Sequence, residues 1–204
     1  MLEQQIFALD DPDALRGLIR DHGWATLVTV SREGDPVVTH LPVILDPDSL
    51  GPAVLGHLAR TDPATRGLGE RPVVLVVQGP HGYISPSFYE AGPYVPTWNH
   101  VTVHLHGTPD LLSPEETYEV LSATVDHFES ARPAPFRLAD VAGYARRIAP
   151  GTTGFRLVPT RVAGKAKLSQ DKPAEIVERV IRGLDTDDVH RNPALADAMR
   201  AAFS

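Results

Sequence analysis

Residues 79–107, GPHGYISPSFYEAGPYVPTWNHVTVHLHG, hold the densest chemistry in the chain. Five aromatic residues (Tyr83, Phe88, Tyr89, Tyr94, Trp98) and four of the nine histidines (His81, His100, His104, His106) fall within it. Pro80, Pro86, Pro93 and Pro96 fix φ and remove donors, so the stretch reads as a stiff, irregular wall. Stiffness lowers the entropy cost of holding aromatic rings ready for a planar ligand. A structural lid whose rings fill core is the competing expectation.

His100, His104 and His106 alternate along HVTVHLHG, which invites a metal. Without an HExxH motif or carboxylate companions, a polar strand face or a subunit contact fits them better. Ser85 and Ser87 lie near histidines, yet no G-x-S-x-G elbow surrounds them, which disfavours a serine hydrolase. GxGxxG and GxxxxGK[ST] are absent, so neither a Rossmann nor a P-loop nucleotide site is supported. Anion binding fares better. His57 and Arg60 close the segment AVLGHLAR, with Thr61 or Asp62 opening whatever follows, so a guanidinium and a hydroxyl could meet a phosphate there. Lys165, Lys167, Ser169, Gln170 and Lys172 form a second cationic cluster.

The elements that must position these groups follow from pattern. Asp11-Pro12 opens a helix with Leu15, Leu18 and Ile19 on one face and Gly23 as its stop. WATLVTV (24–30) and PVVTHLPVILD (36–46), joined through Gly34, make a hairpin. AVLGHLAR (53–60) and PVVLVVQ (72–78) add strands, with a short helix expected over 61–70. Four strands without a long crossover imply an antiparallel sheet or barrel. HVTVHLHG (100–107) alternates strictly, Ser113-Pro114 starts a helix to about 130, a shorter helix covers 138–148, and 154–168 forms a last strand pair or a bent strand. PAEIVERVIRGL (173–184) is amphipathic, and PALADAMRAAF ends the chain as a short helix or frayed tail.

The 204 residues, 42% hydrophobic, suit one domain of class α+β, mostly antiparallel β, over 1–204, with a C-terminal helical extension from about 173. A net charge of −7 opposes a generic nucleic-acid surface without excluding a phosphorylated small ligand. Absence of cysteine removes disulfides and thiolate chemistry, so redox work would need a borrowed cofactor. The sequence shows neither a signal peptide nor a spanning segment, and a cytoplasmic location is the default expectation.

The words THLP (39–42), GHLAR (56–60), GPHGYISPSFY (79–89), VPTWN (95–99) and KLSQ followed by Lys-Pro, together with ATLVT near the N-terminus, occur in an order that resembles the PaiB-like family of FMN-binding negative transcriptional regulators. The resemblance covers nearly the whole chain. It implies a split β-barrel of the FMN-binding and pyridoxamine-phosphate-oxidase type with peripheral helices, usually a homodimer with two FMN sites at the subunit interface. It further implies that His57, Leu58, Ala59 and Arg60 lie along the ribityl phosphate, with Arg60 as a bidentate partner, and that Thr39 and His40 approach from the neighbouring strand. Tyr83, Ser85, Ser87, Thr97, Trp98 and Asn99 would shape the flavin pocket or its rim, and Lys167, Ser169 and Gln170 would close it. Phe88, His100 and Ala166 stand where the family's words more often carry aromatic rings, tryptophan in the first and last case. No catalytic side chain or metal ligand is expected; any turnover would be flavin-dependent oxidoreductase chemistry carried by the cofactor. Two rivals remain: a ligand-responsive transcriptional regulator without catalysis, and a haem-binding split-barrel protein using His81 or His100. Direct DNA binding is disfavoured by the mixed charge of the 173–184 helix and the lack of a helix-turn-helix.

Overall fold

A computed structural model describes residues 1–203. Eight strands make one antiparallel sheet: β1 (Trp24–Val30), β2 (Pro36–Leu45), β3 (Val54–Ala59), β4 (Val73–Ile84), β5 (Thr97–Gly107), β6 (Asp110–Leu111), β7 (Thr152–Leu157) and β8 (Arg161–Lys167). Their hydrogen-bonded order is β6-β7-β3-β2-β1-β4-β5-β8. The helices are α1 (Pro12–Asp21), α2 (Pro114–Glu129), α3 (Ala142–Ile148), α4 (Ala174–Thr186) and α5 (Pro193–Ala202). The chain forms two compact units: a larger one, Asp11–Val77 with His104–Val162, and a smaller one, Met1–Asp10, Gln78–Val103 and Ala163 to the end.

In the larger unit, Val28 faces Val38 on one side and Val74 on the other, and Thr26 faces His40 and Val76. Period-2 alternation buries Ala25 and Leu27 while leaving Trp24 and Val30 open on the opposite face. β2 continues to β3 through Val43↔Gly56, and β3 to β7 through Gly56↔Phe155. Gly56 is required there, because a Cβ would fall 2.6 Å from the Phe155 ring. Two helices carry the caps the sequence announced. Asp11 accepts from Ala14 N at 2.8 Å, and Ser113 and Glu116 exchange bonds in a capping box. The expected helix over 61–70 is only a 3₁₀ turn, Pro63–Thr65, since Gly67 and Gly69 then take φ of 104° and 87° and break the helical path. The two-residue strand β6 had no sequence signal.

In the smaller unit, α4 and α5 bury Ile176, Val177, Val180, Leu184, Leu195 and Met199 against Ile84, Phe88, Tyr89 and Leu168. Phe88 belongs to this core, and Gly183 of α4 lies so close that a Cβ would sit 2.6 Å from its ring. The stretch that reads as an irregular wall is partly strand: its first six residues end β4 and its last eleven are β5. Only 85–96 is irregular, opening with a 3₁₀ turn, Pro86–Tyr89, capped by Ser85. An extended N-terminal segment runs beside β8, with an Ala8↔Lys165 bridge and Leu9 N donating to Gly164 O at 3.2 Å. No helix among the described residues is long and apolar enough to cross a membrane.

Candidate functional site

The fifteen residues singled out from sequence divide between the units: Thr39, His40, His57, Leu58, Ala59 and Arg60 lie in the larger, and the other nine in the smaller.

In the larger unit, β3 alternates so that Leu58 enters the core while His57 and Ala59 face the other side. Any contact by Leu58 with a ligand on that face is therefore a backbone contact. His57 Nδ1 is buried without a hydrogen-bond partner, and burial pushes the imidazole below its ordinary pKa, so the ring is neutral at pH 7. Arg60 donates from Nε to Pro150 O at 2.8 Å and from Nη2 to Thr152 O at 3.3 Å. Its Nη1 has no partner among the described residues, so one edge of a fixed guanidinium stays available to an anion. Arg60 also lines a cavity of about 240 Å³ with Tyr118, Arg146 and Pro150. Arg146 is already paired with Glu115 at 3.3 Å and stacked 4.2 Å from the centre of the Tyr118 ring, so Arg60 Nη1 is the guanidinium edge of this cavity without a partner among the described residues.

The turn carrying Arg60 is fastened by Asp62, one of the two sequence candidates for that cap. Asp62 accepts from Ala64 N at 2.8 Å and from Thr39 Oγ1 at 2.7 Å. Thr39 thus positions the turn, whether or not it also touches a ligand. His40 is exposed, stacked on Trp24 with ring centres 6.4 Å apart and 3.1 Å from Thr26 Oγ1 through Nδ1.

In the smaller unit, Thr97, Asn99, Lys167 and Ser169 come together around a cavity of about 280 Å³. Lys167 Nζ donates to Thr97 Oγ1 and, at 3.0 Å, to Trp98 O. Burial, partly opposed by Asp171, lowers its pKa. Asn99 is fully buried; Nδ2 donates to Ser169 Oγ at 2.9 Å while Oδ1 has no partner. Ser169 is buried and adopts φ 70°, a conformation rare for a non-glycine residue. Gln170 is taken up by its own turn, accepting from Leu168 N at 2.7 Å and donating to Ala166 O at 2.6 Å.

Tyr83 and Trp98 stand apart from that cavity's lining, in an aromatic group with His81 and His190. His81 stacks on Trp98 at 6.1 Å, and Tyr83 lies 6.3 Å from Trp98 and 5.0 Å from His190. Ser85 and Ser87 bond to each other at 2.7 Å and shape the 3₁₀ turn. His100 is held below its ordinary pKa by burial and by Lys165 and Lys167. Among the described residues no three His, Asp or Glu side chains are grouped to hold a metal.

Gln4 and Phe7 line this cavity without any signal in the sequence, and Tyr89 and Tyr94, rings of the central stretch that were not among the fifteen site residues, line it too. Tyr89 and Tyr94 have ring centres 4.7 Å apart. Gln4 and Phe7 arrive because the N-terminal segment pairs with β8, a register no local motif encodes; Lys165 fastens it through Leu2 O at 3.0 Å and Gln4 Oε1 at 3.2 Å.

The eight-stranded antiparallel sheet with its helices has the split-barrel fold of the flavin-binding and pyridoxamine-phosphate-oxidase kind. Residues 1–161 match the family model described as "Putative FMN-binding domain", and the chain belongs to that family. The protein synthesised in Bacillus subtilis as "Protease synthase and sporulation protein PAI 2" is 28% identical over 195 residues, 95% of this chain and 93% of that protein. The PaiB-like resemblance is thereby borne out. Among solved structures, the FAD and heme binding protein from Mycobacterium smegmatis superposes with a TM-score of 0.60 at 18% identity, covering 86% of this chain and 79% of that one. The flavocytochrome Anf3 from Azotobacter vinelandii gives 0.61 at 17%, covering 81% and 72%. At these identities the two structures speak for the fold.

Proposed function

We propose that this chain is an FMN-binding split-barrel protein that works as a homodimer in the cytoplasm. The family match over residues 1–161 carries the reading. The residues present fit the cofactor. Arg60, immobilised by Pro150 O and Thr152 O, offers a pre-set guanidinium edge to a phosphate, and its rigidity lowers the entropy cost of binding. His57 and Ala59 share the face of β3 beside it, with Leu58 offering backbone only; Thr39 and His40 belong to the adjoining strand. In the smaller unit, Tyr83, Ser85, Ser87, Thr97, Trp98, Asn99, Lys167, Ser169 and Gln170 are the candidate flavin contacts that the family words name, those from the Lys-Ser-Gln word as closure. Bound FMN would supply electron or hydride transfer. The protein's share is to anchor the phosphate, keep His57 buried, and hold Lys167, its pKa lowered by burial, against Thr97 and Trp98 O. Whether the outcome is catalysis or ligand-responsive regulation depends on the electron partner. The solved neighbour described as an FAD and heme binding protein supports the haem reading of His81 or His100 as the second choice.

A second copy is supported by the open face of β1 and β2, where Trp24, Val30 and Val38 are 65%, 44% and 57% exposed. The test separates phosphate from ring. Arg60→Met should weaken FMN binding by about 10- to 100-fold, as expected for a charge-assisted pair, and leave riboflavin binding nearly unchanged. Equal loss for both ligands would remove Arg60 from the phosphate role.

A further inference from the structure

The open sheet face of the larger unit is apolar at its centre and carries imidazoles at its margins. Val28 faces Val38 on β2 and Val74 on β4, and Val28, Val30, Pro72 and Val74 share the walls of an open hollow of about 600 Å³ with His106. A contiguous apolar face of this kind marks an interaction surface. His40, stacked on Trp24, stands on the same face, paired across the strands with Thr26. His104 and His106 flank the buried Leu105 on β5, so both rings project to the hollow's side, with centres 6.2 Å apart. None of the described residues lining the hollow is Asp or Glu. The charges that reach it are positive: Arg71 donates to Val30 O at 3.1 Å, and Arg161 donates from Nη2 to His106 Nε2 at 2.8 Å.

The bond from Arg161 sets the protonation state of His106. A guanidinium has no acceptor, so the imidazole must offer a lone pair, which an imidazolium lacks. Protonation would break the bond and set one cation against another, with His104 beside them. Burial, and after it Arg161 and the N-terminal amine, lowers the pKa of both rings.

We propose that pairing of two copies through this face is gated by protonation: neutral His104 and His106 let the faces close, and their charged forms drive them apart. The inference rests on the homodimer reading above and adds a control to it. In a twofold pair the same patch meets itself, so each charge that one copy acquires is matched by the same charge on the other. Every imidazolium there would lose water with no carboxylate in either hollow to replace it. His40, on the same face, would act in the same direction. The neutral form is the one that associates, so pairing is complete above about pH 6.5 and is lost as pH falls through the lowered values of the two rings.

Sedimentation equilibrium of the full chain at fixed salt reads the dimer's Kd across pH, while circular dichroism confirms a native fold at each point. Kd should hold steady from about pH 8 to about pH 7 and then rise about tenfold or more by about pH 5.5. His104→Gln combined with His106→Gln removes both titrations and keeps polar side chains, so the double variant should stay dimeric at the acid end. Should the double change disturb folding, His106→Gln alone should flatten the rise in part. A dimer whose Kd does not change with pH overturns the inference and leaves the homodimer reading standing. A folded variant that dissociates on acidification as the wild type does has the same consequence. A chain that is monomeric even at about pH 8 overturns both.

Discussion

Arg60 carries two loads with one side chain. Its Nε and Nη2 tie the end of β3 to the carbonyls of Pro150 and Thr152, and its remaining edge is what a phosphate would meet. Asp62 holds the same turn through Thr39 and Ala64. Asp62→Ala should therefore weaken FMN binding without touching the ligand, measured as a raised Kd in a protein whose circular dichroism is unchanged. Unchanged affinity would show that the turn holds its shape without this fastener. The histidines make a pH prediction with a definite sign. Burial lowers the pKa of His57, and likewise of His100, His104 and His106, below the ordinary value of about 6.5. Between that value and the depressed folded value the unfolded chain binds protons that the folded chain does not. Stability contributed this way is complete above about pH 6.5 and is lost as pH falls through that window, before most carboxylates titrate. Thermal midpoints taken from about pH 8 to about pH 5.5 should fall on the acid side, and His57→Leu should flatten the slope. A variant with the wild-type slope would exclude His57 as a contributor.

At the level of elements, α4 is a case where propensity and packing oppose each other. Alanine is ordinarily better than glycine in a helix interior by up to about 1 kcal/mol. At Gly183, however, a Cβ would meet the Phe88 ring at 2.6 Å, and overpacking costs about 1–3 kcal/mol. Gly183→Ala should thus lower unfolding free energy in a denaturant titration, and adding Phe88→Leu should restore part of the loss. Stabilisation by the single change would mean that Phe88 moves aside freely. The same scale shows what was legible in the sequence. The β1–β2 hairpin, the Asp11 and Ser113 caps, β3 and α4 were all visible, because alternation, capping and 3.6-residue periodicity are local signals. The central stretch misled, because proline-rich words hide strand ends: β4 continues to Ile84 and β5 begins at Thr97. Thr97, Asn99, Lys167 and Ser169, named from family words, do share a cavity, whereas Gln4 and Phe7 join it only through strand register, which no short motif reports.

For the molecule as a whole, the exposed face bearing Trp24, Val30 and Val38 is the surface proposed for a second copy. Val38→Glu, which places a charge there at little cost to an isolated chain, should convert a dimer to a monomer by sedimentation. A wild-type chain that sediments as a monomer would remove the dimer reading. The proposed function stands on this chain holding the family's flavin. Calorimetric titration of FMN into the purified chain, alongside the visible spectrum of anything that copurifies, tests it most directly. One FMN per chain is expected, with a flavin spectrum perturbed from that of the free cofactor. A folded protein that shows neither flavin absorbance nor heat on adding FMN would contradict it.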